Sequence, residues 1–79
     1  MRLDKFLKVS RLIKRRTVAN EACDGGRVTL NGRAAKPGAD VKEGDEIAIT
    51  LGEKTIRVRV LQVAEHVTKD GASGLYEVL

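Results

Sequence analysis

The sequence predicts an α+β fold: two short N-terminal helices packed on a small, mostly antiparallel β-sheet. Three observations predict it. Leu3, Phe6 and Leu7 recur at helical spacing, and Gly25-Gly26 breaks the chain after a second helical stretch. From Arg27 onward, Val and Ile alternate with polar residues between turn signals.

The first helix is expected over residues 3–9, with Leu3, Phe6 and Leu7 on its inner stripe. Asp4, Lys5 and Lys8 are expected on the opposite side, with Arg2 at the margin. Residues 10–14 read as a turn that drops Leu12 and Ile13 into the core. The second helix spans about 15–24, with Val18, Ala19, Ala22 and Cys23 inward and Arg16, Asn20 and Asp24 outward. Gly25-Gly26 supplies the positive φ of its C-cap. Residues 27–31 form a strand, Asn31-Gly32 is a hairpin signal, and 33–36 is the return strand. Pro37-Gly38 and residues 43–45 are turns. Two strands follow over 46–51 and 55–63, then a flexible link over 71–74 and a last strand over 75–79 that pairs with the long one.

Seventy-nine residues make one domain, expected to divide into a motif with its hairpin over 1–51 and sheet-completing strands over 52–79. The single cysteine, Cys23, excludes an intrachain disulfide, and no Cys/His cluster is spaced for zinc. A reducing cytoplasm fits this composition. No apolar run approaches the length of a membrane span, and the N-terminus lacks the apolar core of a secretory signal. Catalysis finds no support either. Cys23 sits on an apolar helix face, His66 has no Ser or Cys near it, Asp45-Glu46 reads as turn chemistry, and the glycines form no phosphate loop. Neither a cofactor nor a metal is expected.

The charge is segregated. Residues 1–16 hold seven basic side chains against one acid, a net +6; the remainder holds eight basics and ten acids, a net −2. Arg2, Lys5 and Lys8 lie along the first helix, and Arg11, Lys14, Arg15 and Arg16 cover the turn and the start of the second. Cations at a helix N-terminus oppose the helix dipole, so this run is unfavourable for folding and favourable for holding a polyanion. A lipid surface is a poor match, because the apolar stripe is already needed for the core. Only Phe6 and Tyr76 are aromatic, which excludes readers that stack bases on aromatic platforms. Structured RNA, read through phosphates and shape, fits best.

Arg2-Leu3-Asp4-Lys5-Phe6-Leu7, Lys14-Arg15-Arg16, Gly25-Gly26-Arg27-Val28 and Val28-Thr29-Leu30-Asn31-Gly32 resemble the S4 domain family, the RNA-binding module named after small-subunit ribosomal protein four. The stretch from Arg2 to Arg16 most resembles the family's short stand-alone RqcP group of bacterial ribosome-associated quality control, which is related to the small heat-shock S4 proteins. The length agrees with that group, and the heat-shock relatives' basic C-terminal extension is not expected here; residues 64–79 match nothing in the resemblance. The resemblance implies that the two helices and the following hairpin form an L-shaped RNA-binding unit, and that it binds the large ribosomal subunit, touching large-subunit ribosomal RNA and peptidyl-tRNA while the partner factor RqcH directs alanine tailing. The implied RNA contacts fall on Arg2 and Arg16, with Arg11, Lys14 and Arg15 in the same motif. Charge alone adds Lys5 and Lys8, and more weakly Arg33 and Lys36. A monomer is expected. Two other readings remain open: an S4 module that chaperones tRNA or rRNA off the ribosome, and a basic module that docks an acidic protein.

Overall fold

In the computed structural model, Leu3, Phe6 and Leu7 line one side of α1 (Leu3–Val9) and are fully buried. Burial of each such side chain contributes about 1.5–3 kcal/mol. The structure describes residues 1–79, the side chain of Lys69 excepted. The first turn of α1 is closed by a distant loop: the Leu3 and Asp4 N–H groups donate to the carbonyls of Ala39 (2.8 Å) and Pro37 (3.0 Å). The same loop receives the N-terminus, where the Met1 ammonium pairs with Asp40 at 2.9 Å.

After α1 the chain turns sharply. Arg11 adopts φ 63°, its N–H donating to the Lys8 carbonyl at 3.0 Å, and the Ile13 N–H donates to the Leu7 carbonyl. Ile13 is buried and Leu12 half-buried, as their hydrophobicity predicts. Helix α2 runs Arg16–Asp24, with Arg15 as an N-cap whose side chain caps nothing. Its buried stripe is Ala19, Ala22 and Cys23. Val18, expected inward, is 45% exposed: it lies one residue before a stripe whose i, i+3, i+4 spacing starts at Ala19. The C-terminal turn also differs in detail, since Gly25 keeps φ −78° and Gly26 alone takes the positive φ, 74°.

Five strands form the sheet: β1 (Val28–Leu30), β2 (Arg33–Ala34), β3 (Glu46–Leu51), β4 (Lys54–Val60) and β5 (Tyr76–Val78). It is entirely antiparallel, in the order β2-β1-β3-β4-β5. Asn31 and Gly32 both take positive φ, as a tight β1–β2 hairpin requires. Strand β2 is shorter than expected, because Pro37 has no N–H to extend the pairing after Ala35 donates to Val28. β4 stops at Val60 rather than Val63. Beyond it the Leu61 and Gln62 N–H groups both turn to the Leu75 carbonyl.

The expected flexible link is instead a turn of helix, α3 (Lys69–Ala72), continued by a 3₁₀ turn over Ser73–Leu75. The Thr68 hydroxyl caps it by accepting from the Gly71 N–H, and Ala72 and Leu75 anchor it in the core. One cluster of buried residues runs from Leu3 through α2 and the sheet to Leu75. It holds α1, the turn and the start of α2 in fixed relation to the segment after β4. No described helix is long and apolar enough to cross a membrane.

Candidate nucleic-acid interface

Asp4 is the centre of the basic face. The sequence places it outward with Lys5 and Lys8, yet it is only 2% exposed. What makes burial tolerable is the number of donors around its carboxylate. Oδ1 accepts from Arg2 Nε (3.2 Å) and from the Lys5 backbone N–H (2.7 Å). Oδ2 accepts from Arg2 Nη2 (3.2 Å) and Asn20 Nδ2 (3.4 Å), and Arg16 Nε lies 3.5 Å away. Desolvation is the largest single effect on its pKa and raises it. The hydrogen bonds from Arg2, Asn20 and Lys5, with the Arg16 charge, together outweigh it and hold the carboxyl below its ordinary value. Arg2 and Arg16 themselves remain about half exposed, at 54% and 47%.

Arg16 also belongs to a groove. Lys5, Lys8 and Val9 of α1, Arg11 and Lys14 of the turn, and Arg16 of α2 line one side. Glu65, His66 and Val67, from the segment after β4, line the other, enclosing about 690 Å³. Lys5 is tied across it to Glu65, whose carboxyl that hydrogen bond and charge hold below its usual value. Among the described residues, Lys8, Arg11, Lys14 and Arg15 form no ion pair. Seven cations thus share two acids, Asp4 and Glu65.

On the outer face of the sheet the cations are paired. Arg57 and Arg59 lie on the outer face of the sheet and pair with Glu46 and Glu77. A smaller cavity of about 350 Å³ beside them is lined by Thr29, Asn31, Gly32, Glu46, Ile47, Ala48 and Arg57. Among the described residues Arg27, Arg33, Lys36 and Lys54 also form no ion pair, but none of them lines the groove.

Of the residues singled out in the sequence, the structure brings six together. Lys5, Lys8, Arg11, Lys14 and Arg16 share the groove, and Arg2 joins them through Asp4. Arg15 is exposed at the α2 N-cap, outside the groove lining. Arg33 is exposed on edge strand β2, at the opposite edge of the sheet from β5. Lys36 is exposed just before the Pro37–Ala39 carbonyls that close α1. The ends of the two helices differ in a way that matters for anions. The loop carbonyls occupy the first N–H groups of α1, whereas the α2 N-cap has no side-chain acceptor, which leaves its first-turn N–H groups for an outside partner.

Sequence reasoning missed Asp4, Asn20, Glu65, His66 and Val67. The signal for Asp4 was present, as the lone acid among seven cations. Glu65 to Val67 lie some fifty residues from the basic run and carry no local signal.

Comparisons with known proteins show the family. A family model described as the S4 domain matches residues 1–47. The chain belongs to the S4 domain family. It is 62% identical to a protein of Halalkalibacterium halodurans named RQC P-site tRNA stabilizing factor, over 99% of this chain and 89% of that one. A Bacillus subtilis protein of the same name is 51% identical over all of this chain and 92% of its own length. Among solved structures, Heat Shock Protein 15 of Vibrio cholerae, described as trimeric, superposes with a TM-score of 0.92 at 30% identity, covering all of this chain and 81% of that one. The S4 match covers α1, α2 and the β1–β2 hairpin and ends inside β3, so the groove's Glu65–Val67 wall lies outside it.

Proposed function

We propose that this protein is an RNA-binding factor of bacterial ribosome-associated quality control, which binds the large ribosomal subunit and steadies peptidyl-site tRNA there. What carries the reading is the convergence of Arg2, Lys5, Lys8, Arg11, Lys14 and Arg16 on one side of the molecule, in a chain whose full length is matched by relatives named for stabilising P-site tRNA. The chemistry is that of a clamp. Guanidinium groups meet phosphate oxygens at two points, which a lysine ammonium cannot do, and the α2 N-terminus adds backbone N–H groups to the same surface. Large-subunit ribosomal RNA and peptidyl-tRNA are the ligands, and RqcH is the functional partner during alanine tailing. No catalytic step is required, and the site of action is the cytoplasm. The protein acts as a monomer.

Affinity purification of the tagged protein, with its bound RNA sequenced, tests this reading. Large-subunit rRNA and tRNA are expected to be enriched together, with little small-subunit rRNA. Recovery of tRNA or rRNA without sedimentation alongside large subunits would instead assign it to RNA chaperoning off the ribosome. A partner that survives nuclease treatment would assign it to protein docking.

A further inference from the structure

We propose that Asp4 is a positioning residue for RNA recognition: from beneath the surface it fixes the guanidinium groups of Arg2 and Arg16 so that their outward N–H groups meet two phosphates already oriented. This rests on the nucleic-acid reading above and deepens it.

The geometry supplies the argument. Arg2 gives Asp4 one N–H each from Nε and Nη2, so both N–H groups of Nη1 and the second of Nη2 are left for a ligand. The closest approach of Arg16 to Asp4 is its Nε, 3.5 Å from Oδ2, and no hydrogen bond from its terminal nitrogens is present among the described residues, so they are available to a ligand. Both side chains stay half exposed while their inner edges are held by one buried carboxylate. Asn20 and the Lys5 N–H hold that carboxylate in turn. A long side chain loses rotamer freedom when it binds, and fixing it beforehand removes part of that cost. Asp4 also resolves a contradiction in the charge pattern. A surface built only to attract a polyanion gains nothing from an acid in its midst, and this acid is hidden while the two arginines it holds are displayed.

The sign of one measurement separates positioning from simple charge. Asp4→Asn removes a negative charge, so charge counting predicts tighter binding to RNA. Positioning predicts binding to purified large ribosomal subunits, and to total tRNA, weakened roughly tenfold, the loss of one well-placed charge-assisted contact. The salt dependence is expected to stay the same, because the number of cations is the same. In an Arg2→Ala, Arg16→Ala background the Asp4→Asn change is expected to cost nothing further. A merely structural Asp4 costs the same factor in both backgrounds, and that outcome overturns the proposal, as does unchanged or tighter binding by Asp4→Asn alone. Wild-type protein that binds neither probe overturns the RNA reading itself, which is a distinguishable failure.

Circular dichroism checks that the variants fold. If Asp4→Asn does not, the wild type answers through nuclear magnetic resonance of the arginine Nε–H groups. Arg2, whose Nε–H is hydrogen-bonded to Asp4, is expected to give a slowly exchanging signal, and the Arg2 and Arg16 signals are expected to shift together when acid protonates Asp4. Arg2 exchange as fast as that of exposed Arg15, or an Arg16 signal that does not move with Asp4, overturns the proposal.

Discussion

Replacing Arg11 by glycine is expected to stabilise the protein and weaken its grip on RNA. Arg11 holds φ 63°, in the left-handed region, and its side chain is exposed on the groove wall with Lys8 and Lys14. A residue with a Cβ in this region loses about 1–2 kcal/mol relative to the right-handed one, a cost glycine does not carry. Glycine returns about 0.4–1 kcal/mol of that through the greater freedom of its unfolded chain. The net is a gain of about 0.5–1 kcal/mol, and the Arg11 N–H bond to the Lys8 carbonyl survives the change. In a domain of this size the gain raises the Tm by about 2–8 °C. Thermal unfolding followed by circular dichroism measures the first effect, and binding to large ribosomal subunits measures the second, a loss of several-fold with a salt slope shallower by about one. A lower Tm for Arg11→Gly would show that the arginine side chain supports the fold, and would refute the view that strain is tolerated here for the sake of a cation.

Other outcomes follow from the same geometry. Arg16→Ala is expected to weaken binding to large subunits about tenfold with little loss of fold, and Arg16→Lys to recover only part, since one ammonium cannot replace a two-point contact; a collapse of the Tm in Arg16→Ala would make it a structural residue. Glu65→Gln frees Lys5 from its partner across the groove, so RNA binding is expected to tighten a few-fold, with a salt slope steeper by about one; unchanged affinity would mean that Lys5 faces no phosphate. Because the folded state lowers the Asp4 pKa, its contribution to stability is present above the unfolded value near 3.8 and is lost as pH falls below it toward the folded value. Urea unfolding between pH 5 and 3 is therefore expected to lose more stability in the wild type than in Asp4→Asn. Burial, and then the charges of Asp4 and Asp24, push the Cys23 thiol up to about 11. Iodoacetamide at pH 8 is expected to label native protein far more slowly than unfolded protein, and equal rates would place the thiol at the surface.

The parts of the fold legible in the sequence are those whose cause is local. Helix α1 and strand β3 follow from spacing alone, over residues 3–9 and 46–51 as expected. The Asn31-Gly32 hairpin follows from two residues that tolerate positive φ. What escaped depends on distant partners. β4 ends at Val60 because Leu61 and Gln62 find the Leu75 carbonyl, and residues 69–75 wind into helical turns because Ala72 and Leu75 have a core to enter. The glycines at 71 and 74 gave no hint of that. Similarly, the cationic run was plain from charge, whereas its architecture was not. Asp4 is buried only because α2 brings Arg16 and Asn20 over it, and the groove exists only because the segment at Glu65 crosses to Lys5. Local pattern marked the charges, and tertiary packing decided which of them share a surface.

The central claim is that a fixed cationic surface grips RNA phosphates, and the salt dependence of binding to purified large ribosomal subunits tests it most directly. Among the described residues, Lys8, Arg11, Lys14 and Arg16 of the groove, with Arg2 beside them, have no partner but the carboxylate beneath the two arginines. Five neutralised phosphates give a slope of log K against log salt of about −3.5 to −4.5. A slope in that range, made shallower by about one on replacing Arg16 with alanine, is the predicted result. Binding that does not respond to salt would contradict the account.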